Sequence, residues 1–257
     1  MIMSNIVFEY DNSIATIVLD RPAKLNTITP QMAKDLIEIA ASCNDDDAIR
    51  VVILTGAGEK AFCAGSDLGE LDTYDTHWQF RNRLDYCDAV RSIRKPVIAA
   101  INGYAYGGGL ELSLSSDIRI ASETASFCAA EIKLGWIGGG GVSFFLTHSI
   151  GASNAARMIL TGDPIDATVA FEWKLISDIC RPGELLHNAR ELAEKISSNA
   201  PIAAQIAKDN IRAAFRLSAD EAVKYERDLQ TICMATQDAE EGREAFKQKR
   251  KPEFKGK

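Results

Sequence analysis

Histidine is scarce in this 257-residue chain: there are three, His77, His148 and His187, widely separated. Six cysteines are present (Cys43, Cys63, Cys87, Cys128, Cys180 and Cys233), but no two have CxxC spacing. A zinc knuckle or a paired redox thiol is therefore not signalled, and no metal site is expected. The sequence also lacks a GxGxxG fingerprint, a Gly-Lys-Ser/Thr phosphate loop and a GxSxG nucleophile elbow. Positive charge is in deficit: the net charge is −7 and the pI about 5.1. Broad nucleic-acid binding through a basic surface is excluded on that balance. Residues 1–10 lack the basic-then-apolar pattern of a secretory leader, and scattered cysteines read as reduced thiols, so a cytoplasmic setting is expected. Residues 134–156 carry no Asp, Glu, Lys or Arg, but their six glycines and several polar side chains predict a loop leading into a buried helix, with no membrane span.

Apolar residues make up 46 % and charged residues 25 %, the composition of an ordinary globular protein. The N-terminus reads as a hairpin, with β-rich runs at 6–10 and 14–20 around Asp11-Asn12-Ser13. Thr29-Pro30 opens a helix, Thr as N-cap and Pro in the first turn. Short apolar strands at 51–54, 96–101 and 118–121 alternate with helical stretches, including one expected at 78–93 and another at 110–115. This order predicts an α/β fold with parallel pairing. Fifteen of the eighteen glycines fall between Gly56 and Gly162; the remainder of the chain carries helical periodicity at 185–198, 201–217 and 218–235. The expected division is an α/β core at 1–195 and a helical region at 196–257. The last fifteen residues hold seven cations against two anions, a basic tail on an acidic body.

Glycine clusters mark places where backbone must come close to something. Three occur: Ala64-Gly65-Ser66-Asp67, Gly107-Gly108-Gly109 and Gly138 to Gly141. The second follows a strand and opens a helix, where free amides can hold an anion or oxyanion; tight strand–helix packing explains it equally well. Two carboxylates lie beside these clusters among apolar neighbours, Glu111 and Glu131. A single such acid is more often a solvated carboxylate. Two together, beside glycine loops and without a serine or cysteine nucleophile, point to general acid/base chemistry on an enolate.

The stretches FCAGSDL at 62–68, KPVIAAINGYAYGGGLEL at 95–112 and ASFCAAEIKLG at 125–135 closely resemble the crotonase superfamily. The likeness runs from LDRP at 19–22 through LTG at 160–162 to FKQKRKP at 246–252, nearly the whole chain. It implies a spiral of ββα units with a C-terminal helical region that builds trimers, often paired into hexamers. It implies an oxyanion hole from the amides of Ser66 and Gly108 around a thioester carbonyl. Glu111 and Glu131 match the two acids of the hydratases, Glu111 activating water and Glu131 delivering a proton to C2. The implied reaction is enoyl-CoA hydration without a cofactor, CoA being part of the acyl-CoA substrate. Substrate contacts are expected from Lys24 and Leu25, in a loop that touches the adenosine part of CoA in relatives, and from Ala64, Asp67, Leu68, Trp136 and Gly139. Lys247 and Lys251 are expected to reach CoA phosphates, across a subunit boundary.

Several positions depart from the family pattern. Gly138 to Gly141 stands where hydratases commonly have Pro-Gly-Ala-Gly, Val142-Ser143-Phe144 where they often have Thr-Gln-Arg, and Trp136 where a smaller residue is usual. Ser66 fills a position often held by Ala, and its amide, not its hydroxyl, is the group of interest. The region of Trp78, Tyr86 and Cys87 reads as a lid or a packing helix. Rival readings are a carnitinyl-CoA dehydratase-type lyase, which uses the same acid pair, and a Δ3,Δ2-enoyl-CoA isomerase, which needs one acid. A non-catalytic scaffold of the same fold is disfavoured by the paired acids.

Overall fold

A computed structural model describes residues 2–3, 5–71 and 73–257. The chain opens with β1 (Ile2–Met3), β2 (Ile6–Asp11) and β3 (Ile14–Leu19). β2 and β3 form the expected hairpin, Asp11 pairing with Ile14. Asn12 (φ 49°) and Ser13 (φ 68°) make the two-residue turn in the left-handed region, which matches the twist of the flanking strands. The helix α1 (Pro30–Asp45) starts as predicted, the Thr29 hydroxyl accepting from the Met32 amide.

Three ββα units follow, and each places one strand in each of two sheets. The pairs are β4 (Val51–Gly56) with β5 (Ala61–Cys63), β6 (Val97–Ile101) with β7 (Tyr104–Tyr106), and β8 (Ile118–Ser122) with β9 (Ser126–Cys128). After β5 come α2 (Leu68–Leu71), α3 (His77–Arg81) and α4 (Tyr86–Ser92); after β7 comes α5 (Gly108–Leu114). A 3-10 turn at Ala130–Leu134 and α6 (Val142–Thr161) follow β9. Then come β10 (Ile165–Asp166), α7 (Ala167–Glu172), β11 (Asp178–Cys180), α8 (Leu185–Ser197), α9 (Pro201–Ala213), α10 (Ala219–Met234) and α11 (Gln237–Gln248). The larger sheet runs β1-β2-β3-β4-β6-β8-β11, parallel from β3 onward. The smaller runs β10-β9-β7-β5, with β5, β7 and β9 parallel. This is the expected spiral of ββα units.

The central strands are continuously apolar because both faces are covered. Val52 and Leu54 face a core shared with Leu36 and Ile39 of α1, while Val51 and Ile53 pack with Ile98, Ile120 and the Leu185, Ala189 and Ala193 face of α8. Helix α9 is tied to the core by charged side chains, and α10 packs on α9. Lys208 reaches Asp117 at 2.6 Å and the Lys95 carbonyl at 2.7 Å. α10 buries no residue in the single chain and presents Tyr225, Ile232 and Met234 to solvent. The tail folds back on α11: the Asp238 carboxylate accepts from the amides of Lys255 and Gly256, and Arg250 pairs with Glu241.

Three expectations need correction. The helix expected at 78–93 is two helices, because Asp85 takes an extended conformation and its carboxylate caps α4 through the Cys87 amide at 2.7 Å. The smaller sheet was not anticipated: its strands are two or three residues long, too short for a period-2 pattern to register. Residues 135–141 are indeed a loop entering α6, but that helix is amphipathic, with Phe144 and Leu160 exposed, rather than buried. Among the described residues no helix is long and apolar enough to cross a membrane. All six cysteines are free thiols.

Candidate active site

The site is assembled where two strand-to-helix turns of successive units meet. The buried Asn26 side chain donates to the carbonyls of Ala57 and Ala61 and accepts from the Arg21 amide, which fixes loop 21–27. Arg21 in turn pairs with Asp67 at 2.6 Å. That loop takes up the backbone donors on either side of Ser66: the Ala64 amide donates to Leu25 (3.0 Å) and the Asp67 amide to Ile28 (2.9 Å). Among the described residues the Ser66 amide has no acceptor. The same holds for Gly108, first residue of α5, while its neighbour Gly107 donates to the Cys128 carbonyl at 2.8 Å. A Cβ on Gly65 would lie 3.1 Å from the Gly108 nitrogen, so the two turns are in contact. Two amides without acceptors thus lie at adjoining turns, an arrangement that can donate to an anionic oxygen.

The glycines of 107–109 serve both purposes that the sequence left open. A Cβ on Gly109 would come within 1.8 Å of the Cys63 carbonyl oxygen, so this residue permits close helix–strand packing. A Cβ on Gly108 would strike the Tyr86 hydroxyl at 1.9 Å, and one on Gly107 would meet Glu131 Oε1 at 3.2 Å. The last two face the side chains of Tyr86 and Glu131.

Glu111 is 5 % exposed, one turn into α5. The Gly140 amide donates to its Oε1 at 2.7 Å and the Val142 amide at 3.3 Å. Two glycines of the run that departs from the family pattern lie against this carboxylate. A Cβ on Gly138 would sit 2.5 Å from Glu111 Oε1, and one on Gly140 would sit 2.8 Å from Oε2, whereas Gly139 has room. Burial, reinforced by the nearby Glu131 charge, pushes the Glu111 carboxyl up to about 7 against the opposing pull of the two amides. Burial also raises Glu131, in the 3-10 turn. Two carboxyls in one poorly solvated space resist double ionisation, which favours the protonated form of either acid.

Both acids and both turns line one cavity of about 1630 Å³. Lys24, Leu25, Ala64, Asp67, Leu68, Trp136 and Gly139 line it too, as expected. Lys247 and Lys251 do not line it within the chain. Although four apart in sequence, the two share no helical face: α11 stops at Gln248, Lys249 turns left-handed (φ 54°), and Lys251 lies beyond the helix. Of the lid region, Trp78 is exposed, whereas Tyr86 and Cys87 are buried. Tyr86 lines the cavity, with its hydroxyl 3.1 Å from Ser66 Oγ. Sequence reasoning missed this role, because a tyrosine at the start of a short helix carries no motif.

The sequence profile of the enoyl-CoA hydratase/isomerase family matches residues 9–257. The chain belongs to this family. It is 40 % identical over 246 residues to the mitochondrial enoyl-CoA hydratase of Pongo abelii, covering 95 % of this chain and 84 % of that protein. It is 37 % identical to the (E)-benzylidenesuccinyl-CoA hydratase of Thauera aromatica, over 98 % of this chain and 99 % of the relative. The crystal structure of an enoyl-CoA hydratase from Bacillus anthracis superposes with a TM-score of 0.94 at 39 % identity, covering 99 % of this chain and all of that one. The crotonase fold and the paired acids of an enoyl-CoA hydratase/isomerase family member thus occur together in this chain.

Proposed function

We propose that the protein is an enoyl-CoA hydratase, adding water reversibly across the 2,3 double bond of a 2-enoyl-CoA thioester. The observation that carries this reading is the placement of two carboxyls, Glu111 buried and Glu131 half-buried, in the cavity that two free amides line. The thioester carbonyl oxygen accepts from the Ser66 and Gly108 amides. Ionised Glu111, oriented by the Gly140 and Val142 amides, takes a proton from water as its oxygen bonds to C3. The π electrons move through C2 onto the carbonyl oxygen, giving an enolate. Removing one such donor from other enzymes costs about 3–4 kcal/mol of transition-state stabilisation. The enolate then collapses, and C2 takes its proton from Glu131.

Burial and the nearby Glu131 charge raise the Glu111 carboxyl to about 7, so near neutrality part of the unliganded protein carries a proton on Glu111. That is the form from which the reverse reaction starts: Glu131 removes the C2 proton and protonated Glu111 gives its proton to the departing hydroxyl. One proton shared by the pair serves both directions. The chemistry asks for no metal or redox cofactor, CoA entering as part of the substrate. An isomerase needs only one of these acids. A carnitinyl-CoA dehydratase-type lyase would use the same pair, and a scaffold would have no use for two acids set in one cavity.

Residues 196–257 form the assembly region in this reading, and the apolar residues exposed on α10 suit a homotrimer or a dimer of trimers. Lys247 and Lys251 would then meet the CoA phosphates of a neighbouring subunit. Incubation of purified protein with crotonyl-CoA should abolish the enoyl absorbance until hydration equilibrium is reached. No loss of that absorbance, across a panel of acyl chain lengths, would reject the hydratase reading.

A further inference from the structure

The Tyr86 hydroxyl sits where neither a packing residue nor a lid residue needs one. Tyr86 opens α4, its position set by the Asp85 cap, and its ring is 7 % exposed. The hydroxyl lies 3.1 Å from Ser66 Oγ. It would be 1.9 Å from a Cβ on Gly108, so it is within about 3.4 Å of the Gly108 Cα, one carbon–carbon bond further on. The phenol thus touches both residues whose amides are free, inside the cavity that holds Glu111 and Glu131. Among the described residues its one hydrogen-bond partner is a serine hydroxyl, which can accept from it or donate to it.

Resting on the hydratase reading, we propose that Tyr86 is a third hydrogen-bond donor to the thioester oxygen, beside the Ser66 and Gly108 amides. As negative charge develops on that oxygen, the Tyr86 O–H turns from Ser66 Oγ to the stronger acceptor. No proton is transferred; the O–H bond stays intact while the enolate forms and collapses. Burial, reinforced by the adjacent Cys87 and Cys63 thiols, raises the phenol's pKa well above its ordinary value, so it remains a neutral donor throughout. The strength of a phenol–oxyanion hydrogen bond grows with charge on the acceptor, so the contribution falls on turnover more than on substrate binding.

The alternative is that the hydroxyl merely ties α4 to the 64–68 turn. Tyr86→Phe separates the two, with two readouts in the intact protein. Crotonyl-CoA hydration should lose about tenfold to a hundredfold in kcat, with KM changing less than about threefold. Acetoacetyl-CoA, whose enolate absorbs in the near ultraviolet, should enolise in the bound state with an apparent pKa at least one unit above that in the wild type. Substituting 3-fluorotyrosine at position 86, which makes the phenol more acidic and preserves its shape, should shift that pKa the opposite way. Unchanged kcat and enolate pKa in Tyr86→Phe would overturn the proposal. So would a loss of kcat accompanied by a lower thermal midpoint and an unmoved enolate pKa, the pattern of an anchor. If Tyr86→Phe does not fold, the fluorotyrosine protein decides alone: an enolate pKa equal to wild type refutes the role. Wild-type protein that stabilises the acetoacetyl-CoA enolate but never hydrates crotonyl-CoA would sink the hydratase reading, and the enolate shift would still judge Tyr86.

Discussion

Replacing Glu111 by Gln should abolish turnover and at the same time stabilise the folded protein above neutral pH. The carboxyl is held at about 7 in the folded state against an ordinary value of 4.5. Between those values the unfolded chain has released the proton and the native state has not, so native stability falls as pH rises. Below about pH 4.5 the group is protonated in both states and contributes no penalty. Above pH 7 it is ionised in both, and the full cost of burying its charge is felt. At 1.36 kcal/mol per pKa unit the difference amounts to about 3 kcal/mol. Gln is close in size and its Oε1 can still accept from the Gly140 and Val142 amides, while carrying no charge at any pH. The measurement is urea denaturation of wild type and Glu111→Gln at several pH values and one fixed protein concentration, since assembly couples to stability. The variant's advantage should grow from near zero at pH 4.5 to about 3 kcal/mol at pH 8. A stability difference that is flat with pH, or a wild type that is more stable at pH 8, would refute the account of Glu111 as a buried acid with a raised pKa.

Other expectations concern the same machinery and the tail. Glu111→Gln and Glu131→Gln should each remove most crotonyl-CoA hydration, and the double variant should be scarcely slower than the worse single one, since the acids act as a unit; near-normal turnover in either would cancel that residue's role. Gly108→Val should abolish activity and displace Tyr86, whose hydroxyl occupies the Cβ position, whereas Ser66→Ala keeps its amide and should cost less than about tenfold. Comparable losses from both, in steady-state kinetics, would assign the Ser66 hydroxyl a chemical role. Neutralising Lys247 and Lys251 together should weaken CoA-thioester binding at low salt, with the loss shrinking as salt rises and kcat at saturation unmoved; the same titration with a truncated thioester lacking the nucleotide should show no change. Equal loss on the truncated thioester would make these lysines an assembly or solubility feature.

Much of the fold was readable because its determinants are local. Asn12-Ser13 permits a left-handed two-residue turn, Thr29-Pro30 caps and begins α1, and Ser218 with Glu221 forms a reciprocal capping box at α10. The continuous apolar runs of β4 and β6 betray strands covered on both faces. The two acids stood out because charge among apolar neighbours has few structural uses. The smaller sheet and the place of Tyr86 escaped, since each depends on partners far along the chain. Tyr86 gains its setting from Ser66, twenty residues away, and from Gly108, twenty-two away. The glycine run at 138–141 was visible but looked like a change in pocket shape. Only the folded chain puts Gly138 and Gly140 against the Glu111 carboxylate, where a Cβ has no space and a backbone amide must reach an oxygen. The identity of the chemical groups was written in the residue order. Their protonation came from burial, and burial is a property of what the rest of the chain packs around them.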